Sequence, residues 1–547
     1  DEDGGTLAVE VHAALEFQGV VTLEVWDDVN EEWDFVEECN DVTECTISNA
    51  SLPNGLYRAR ITGIDWDNQG NYLVSLNDDD TGYTSYDYIG GSGLWLSNDY
   101  AGATGTVTVA NGPNRGYVNT HNNGSTGTFI RSHKAISITR LDSSNNGGLG
   151  LDADNCLYNG SVCLYVAPVT INGYSSNLSD NQMGGISMSS GGVVYLQNVD
   201  AGNNHRGDGA HIFAGNLTIK ATNPQPWMSG FNYNGGNGLW LYSNGTVTLD
   251  RVYSSNNGGQ GLWLSNTAAA TPKAVSISNA YFNDNQDASL DTAGLEVWSK
   301  GAVTLKSVDV SNNASGGAYI NNTAGSLGVT IQQSTFNNNQ AGSGADNGLW
   351  DGIFIDTNGN VLWTSSSAGG NGGGDGAQLN TGGSVTVLAT YGNNDFSFNS
   401  QSGLGLIGIA SANVNGVRGG GNGNRGLIIA TDTAGAITVS NSLFNGNSAQ
   451  GVLIANDGTG LIKLSNISGF QNALGTSSGD FAAAEIYTGG GTVSIINSAF
   501  HHNGDWGIYV DLNGGSLLPM TGVTWTSNNW DGFGFDGTDN PNVEVVP

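Results

Sequence analysis

A short unit that repeats constrains this chain more than any other feature. Gly238-Leu-Trp-Leu-Tyr-Ser-Asn is followed by Val247-Thr-Leu and then by Ser254-Ser-Asn-Asn-Gly-Gly, and Gly261-Leu-Trp-Leu-Ser-Asn begins the pattern again after 23 residues. Each unit holds short alternating runs closed by Asn, Gly or Ser. Alternation over three to five residues gives a strand with one buried face. A unit this small cannot bury that face alone, so it must stack on its neighbours.

Small residues followed by apolar ones mark an anchor in each unit. Anchors fall at Gly148, Gly185, Gly209, Gly238, Gly261, Gly294, Gly317, Gly352, Gly376, Gly403, Gly426, Gly451, Ala484, Gly507 and Gly532, with an earlier start at Gly93. A second column reads Val247-Thr-Leu, Val303-Thr-Leu, Val329-Thr-Ile and Ile437-Thr-Val. A third reads Phe282-Asn-Asp-Asn, Phe336-Asn-Asn-Asn, Phe444-Asn-Gly-Asn and Phe500-His-His-Asn. Three strands per turn with equivalent residues superposed is a parallel β-helix. The pattern resembles the right-handed β-helix repeat of the pectate-lyase-like superfamily over about residues 93–535. That resemblance implies an all-β solenoid of about 16 rungs, and a spacing of roughly 4.8 Å per rung gives a rod of about 75 Å. Asn at the corners is expected to tolerate left-handed backbone and to hydrogen-bond to the next rung.

The expected organisation is an acidic β-sandwich at 1–85, a linker at 86–92, the parallel β-helix at 93–539 and a tail or cap at 540–547. The first segment alternates in Leu7-Ala-Val-Glu-Val, Val20-Val-Thr-Leu-Glu-Val-Trp, Leu56-Tyr-Arg-Ala-Arg-Ile and Tyr72-Leu-Val-Ser-Leu. Its Leu52-Pro-Asn-Gly-Leu-Tyr-Arg run, followed by Gly70-Asn-Tyr, is similar to the bacterial pre-peptidase C-terminal β-sandwich, an accessory module of secreted proteins.

Net charge is −34. Residues 1–90 hold 21 acidic and 2 basic side chains, so acidity concentrates at the start. A field of this sign repels nucleic acid, anionic lipid and uronate polymers. No apolar run approaches the length of a membrane span. Cys39/Cys45 and Cys156/Cys163 form two close pairs without zinc or CxxC spacing, which predicts two local disulfides and an extracellular or cell-surface location. Asp1 in place of Met reads as a chain whose export signal has been removed.

In Gly-Leu-Trp-Leu the leucines point inward and Trp points out. That outward column reads Trp95, Trp240, Trp263, Glu296, Tyr319, Phe354, Gln378, Ile428, Leu453, Tyr487 and Tyr509. A flank so rich in apolar side chains suggests contact with copies of the same chain, in a filament, sheath or surface layer. Two other readings stand beside it: the rings stack on a polysaccharide, or insertion loops cover them. A cell-binding adhesin would share these features.

Catalytic boxes are missing. The resemblance implies basic residues and calcium-binding aspartates at a uronate cleft, or an Asn-x-Asp, Asp-Asp, Gly-His and Arg-x-Lys set, and neither pattern occurs here. Asp351 and Asp375 precede successive anchors, so their carboxylates fall about one strand spacing apart, roughly the 5 Å of a retaining glycosidase pair. Ordinary turn aspartates give the same pattern. A neutral glycan would be the substrate, given the charge. His205-Arg-Gly-Asp208-Gly-Ala-His211 is the densest polar cluster, with His501-His502 and Asp505 a weaker one. Asp65, Asp67 and Asn71 open a calcium-loop pattern, but Leu76 stands where its bidentate acid belongs. Calcium is the only cofactor the sequence suggests.

Overall fold

The alternation sorts side chains between a dry interior and the surface. In Leu239–Ser243 the leucines are buried while Trp240 and Tyr242 are not, and Val247–Asp250 repeats the arrangement. A computed structural model describes the chain from residue 92 onward, apart from 99–104, 111–116, 157, 160–161, 164, 174, 223–227, 287–292, 342–349, 475–480 and 529–542. Before residue 92 it describes the backbone of the strands. The fold is an all-β parallel solenoid of about 14 turns, with a strand-rich N-terminal region. The anchors suggest about 16. The chain divides into two units, Asp1–Tyr253 and Ser254–Pro547.

In the first unit, Gly19–Asp27 pairs antiparallel with Glu32–Asn40 and Tyr57–Gly63. Leu7–Ala13 lies antiparallel between Glu44–Asn49 and Tyr72–Asp78. Tyr72–Asp78 also pairs in parallel with Val107–Ala110 on its other edge. One strand therefore joins the antiparallel region to the solenoid and covers a sheet edge that would otherwise recruit other chains. Parallel pairing then runs through Leu94–Asn98, Thr128–Ser132, Leu149–Asp154, Gly184–Ser189, Ala210–Ala214 and Leu239–Ser243. In-register Ile130, Ala153, Met188, Ile212 and Leu241 form a ladder at most 2 % exposed.

The second unit continues the plan from Leu262–Ser265 to Trp506–Asp511. Val543–Val546 then adds in parallel, with Ile508 opposite Val543. The strand column thus passes through Val543, later than an anchor at Gly532 implies. Register moves two further anchors. Leu151 pairs with Ile186, which places Gly150 rather than Gly148 in the column, and Val452 pairs with Ala484, which places Ala483 there.

Corners are closed by left-handed residues, and one of them always precedes a buried asparagine. Asn145, Asp180, Asn203 and Tyr233 have φ of 56–62° and stand before Asn146, Asn181, Asn204 and Asn234. In the second unit Asn256, Asp284, Asn312, Asn338, Gly370, Phe398, Gly421, Gly446, Gln471, His502 and Ser527 do the same. The two tasks expected of one Asn are therefore divided between neighbours. The first bends the chain, and the second carries the hydrogen bonds.

Those hydrogen bonds form an unbroken ladder within each unit. Asn399 Oδ1 accepts the backbone N–H of Asn371 at 3.0 Å and its Nδ2 at 2.9 Å, while Asn399 Nδ2 donates to Asn422 Oδ1, to Phe396 O and to Ala368 O. The same scheme links Asn257, Asn285, Asn313 and Asn339, and later Asn447, Asn472, Asn503 and Asn528. Asn123, Asn146, Asn181, Asn204 and Asn234 form the first unit's ladder.

The ladder explains the anchors. A Cβ on Gly376 would lie 2.6 Å from Asn399 Nδ2 and 2.5 Å from Gly403 O, and one on Gly317 would lie 2.5 Å from Asn339 Nδ2. Glycine leaves the room that the amide occupies.

Asn399→Ala removes the acceptor of two Asn371 donors and strands the carbonyls of Ala368 and Phe396. The expected loss is about 3 kcal/mol, the cost of buried polar groups left without partners. It is read as a lowered denaturant midpoint, and a loss below about 0.5 kcal/mol contradicts the role given to the ladder.

Candidate functional site

The outward column takes its side chains from the middle of one strand per coil. In the first unit the register is Trp95, Phe129, Asp152, Ser187, His211, Trp240. Trp95 is 66 % exposed and its ring lies 4.5 Å from that of Phe129. The Arg131 guanidinium covers the other side of Phe129 at 3.9 Å and forks onto both oxygens of Asp152 at 3.1 and 3.0 Å. Such a fork fixes the arginine as a rigid plane. His211 stacks on Trp240 at 5.5 Å with the rings nearly parallel. A groove of about 400 Å³ opens beside them, lined by Ser187, Met188, Ser189, His211, Phe213 and Tyr242.

The His205–His211 segment does not act as one cluster. His205 and Arg206 are exposed, whereas Asp208 is mostly buried. Asp208 Oδ1 accepts the Asn237 amide at 2.7 Å, and Oδ2 lies 3.9 Å from His211 Nδ1. Burial raises the Asp208 carboxyl above the ordinary range, against the lowering effects of the Asn237 amide and of His211. This aspartate ties two coils together rather than standing free beside Arg206.

In the second unit the register is Trp263, Glu296, Tyr319, Phe354, Gln378, Gly405, Ile428, Leu453, Glu485, Tyr509. Trp263, Tyr319, Ile428, Leu453 and Tyr509 are half-buried, and Phe354 is 9 % exposed. Tyr319 and Phe354 stack at 5.6 Å, and Trp298 meets Tyr319 edge-on at 5.3 Å. Tyr487 leaves the column. It sits two residues beyond Glu485, on the same face but one row over, opposite Ala455 and Asp511.

Carboxylates interrupt the rings at two levels, each held in the same way. Glu296 accepts Gln260 Nε2 at 2.7 Å and Trp298 Nε1 at 2.5 Å. Glu485 accepts Gln450 Nε2 and the Tyr487 hydroxyl, both at 2.5 Å. Burial holds the Tyr487 phenol well above its ordinary value, and the Glu485 carboxylate adds to the rise. Burial likewise raises Tyr319, against its hydrogen bond from Asn321.

Between these levels the face is concave. Gly405 is the one glycine in the register from Trp263 to Tyr509, and a Cβ there would lie 3.6–3.7 Å from Ile428, Gln378 and Asp375 Oδ2. The missing side chain leaves a groove of about 580 Å³, lined by Asp351, Phe354, Asp375, Gln378, Asn380, Gln401, Ser402, Ile407, Asn424, Arg425 and Ile428 among others.

Asp351 and Asp375 do meet here, but mainly as structural acceptors. Asp351 is 3 % exposed and its Oδ1 accepts the Asp375 amide at 2.7 Å. Asp375 Oδ1 accepts the Ser402 amide at 2.6 Å, and its Oδ2 would lie 3.6 Å from a Cβ on Gly405. A chain of aspartates binding the next coil's N–H is the turn chemistry expected of Asp. Both carboxylates line the groove, with Asp351 the more deeply buried.

Cys156 and Cys163 form a disulfide across the hairpin of Tyr158–Asn159 and Val162–Cys163. The side chains of Cys39 and Cys45, and residues Asp65, Asp67 and Asn71, lie outside the described residues. Among the described residues no group of three His, Cys, Asp or Glu is placed to hold a metal ion. His501 bonds Thr526 and Thr524, and Asp505 accepts the Phe481 amide, so these do not converge either. No described helix is long and apolar enough to cross a membrane.

Sequence reasoning missed the second outward row, which supplies Trp298, Arg131 and Tyr242. The signal was present, since residues two apart in a strand share a face. It also missed the groove, because a glycine in a column of rings reads as a gap in the pattern.

Residues 228–400 match the family model described as "Right handed beta helix region". That stretch is therefore a right-handed parallel β-helix. A search of curated proteins gives no match. Among solved structures, the "Crystal structure of Agl-KA catalytic domain" aligns over 96 % of this chain and 88 % of its own at 10 % identity, with a TM-score of 0.17 that supports no structural argument.

The raised Asp208 fixes the sign of a pH effect. A carboxyl raised on folding holds its proton more tightly folded than unfolded. Its contribution to stability is full below the ordinary carboxylate range, below about pH 4, and is lost as pH rises through the raised value. Asp208→Asn removes the titration. The melting temperature of the wild type relative to Asp208→Asn should fall from acid to neutral pH, and a difference that grows with pH contradicts this.

Proposed function

We propose that this is an extracellular β-helix protein whose outward sheet face binds a neutral polysaccharide. The groove over Gly405 carries the proposal. It combines Phe354 at one side, with Tyr319 stacked behind it, Ile428 at the other, and Asp375, Gln378, Asn380, Gln401, Asn424 and the single cation Arg425 along its lining. Ligand sites join apolar walls to a few directed polar groups in this manner, and ring faces suit the C–H surface of a sugar.

Self-association through the same face has less support. The cores of protein interfaces are depleted in charge. Here the rings are half-buried against their own neighbours, and Glu296 and Glu485 stand among them. The net charge of −34 favours an uncharged glycan over uronates. The Cys156–Cys163 disulfide favours an oxidising compartment.

Calorimetric titration with neutral glucans, mannans and galactans tests this reading. Saturable binding to at least one is expected, and Gln401→Ala should weaken it about tenfold, or 1.4 kcal/mol. No binding to any of them, together with concentration-dependent assembly that Trp95→Ala abolishes, overturns it in favour of a filament or surface-layer subunit.

A further inference from the structure

The left-handed corner position selects its occupants. In the second unit it holds Asn256, Asp284, Asn312, Asn338, Gly370, Gly421 and Gly446, residues with little or no penalty there. Gln471, His502 and Ser527 also stand there, and Phe398, at φ 64° and 75 % exposed, is the one large apolar occupant in the second unit. A bulky residue in this conformation carries strain, and an exposed one gains no burial to offset it. Strain of this kind collects at ligand sites.

The neighbouring coils accommodate the ring. Gly370 lies on one side and Gly421 on the other, and a Cβ on Gly421 would come within 2.7 Å of Phe398 Cδ1 and Cε1. The ring therefore leans over Gly421, with most of its surface in solvent. The same coil holds the other exception, Gly405, the glycine beneath the groove. Gln401 and Ser402, which line that groove, lie between the two in the chain. One coil thus carries a flat ring, two hydrogen-bonding side chains and a bare floor in succession. The first unit repeats the exception. Tyr233, at φ 59° and 61 % exposed, belongs to the coil that carries Trp240 and Tyr242.

We infer that a neutral oligosaccharide crosses the stack along the Phe398 coil, with one sugar over Gly405 between Gln378 and Ile428 and a distal sugar stacked on Phe398. The inference rests on the glycan-binding reading and adds to it a direction and an end point. Phe398→Asn installs the residue commonest at this corner, so the variant folds with a melting temperature at or above that of the wild type. Glucose and mannose oligomers of graded length are the probes. Affinity for the longer oligomers should fall about tenfold in Phe398→Asn, with disaccharide affinity unchanged. Equal affinity of variant and wild type for long oligomers overturns the crossing path and leaves the binding reading standing. Failure of the wild type to bind any oligomer overturns both.

Discussion

Within each unit, every coil is held to the next by an asparagine whose single carbonyl oxygen receives both the backbone N–H and the side-chain amide of the equivalent residue one turn away. This geometry sets much of the rest. It requires a left-handed residue just before it, to turn the backbone toward the axis. It requires a glycine at the start of the outward strand, because the amide fills the space of a Cβ. It also keeps successive coils in register, so that inward Val, Leu and Ile superpose and dry. A slip of one residue would move the apolar set to the surface and break every amide pair together.

That coupling explains how much was legible in the residues alone. Phe-x-x-Asn and Gly-Leu-Trp-Leu recur because they carry the ladder and its clearance, so solenoid, strand number and inward face follow directly. Anchor positions failed where the local residues were ambiguous. Gly148 and Gly150 both fit the pattern, and Ala483 and Ala484 are identical, so only the strand register distinguishes them. The roles of Asp208, Asp351 and Asp375 were equally hidden. An aspartate that caps a coil and one that serves a ligand look the same in sequence, and burial separates them.

The outward face shows what the repeat leaves unconstrained. Nothing in the ladder chooses Trp, Glu, Gln, Gly or Ile for the exposed position. Their arrangement is free to serve a ligand, in the way that loop residues on a rigid scaffold are. Two departures from the column habits, Gly405 without a side chain and Phe398 with too large a one, fall in the same coil. A scaffold this regular makes such exceptions visible, and it holds the flanking rings without further support, since each is braced by its neighbour one strand spacing away.

The central functional claim concerns what covers the face between Gln378 and Ile428. A crystal structure of the protein grown with a neutral oligosaccharide that it binds tests this most directly. The account predicts sugar density over Gly405, within hydrogen-bonding distance of Asp375 Oδ2 and Gln401. A face occupied instead by a second protein molecule, with the sugar elsewhere or absent, would contradict it.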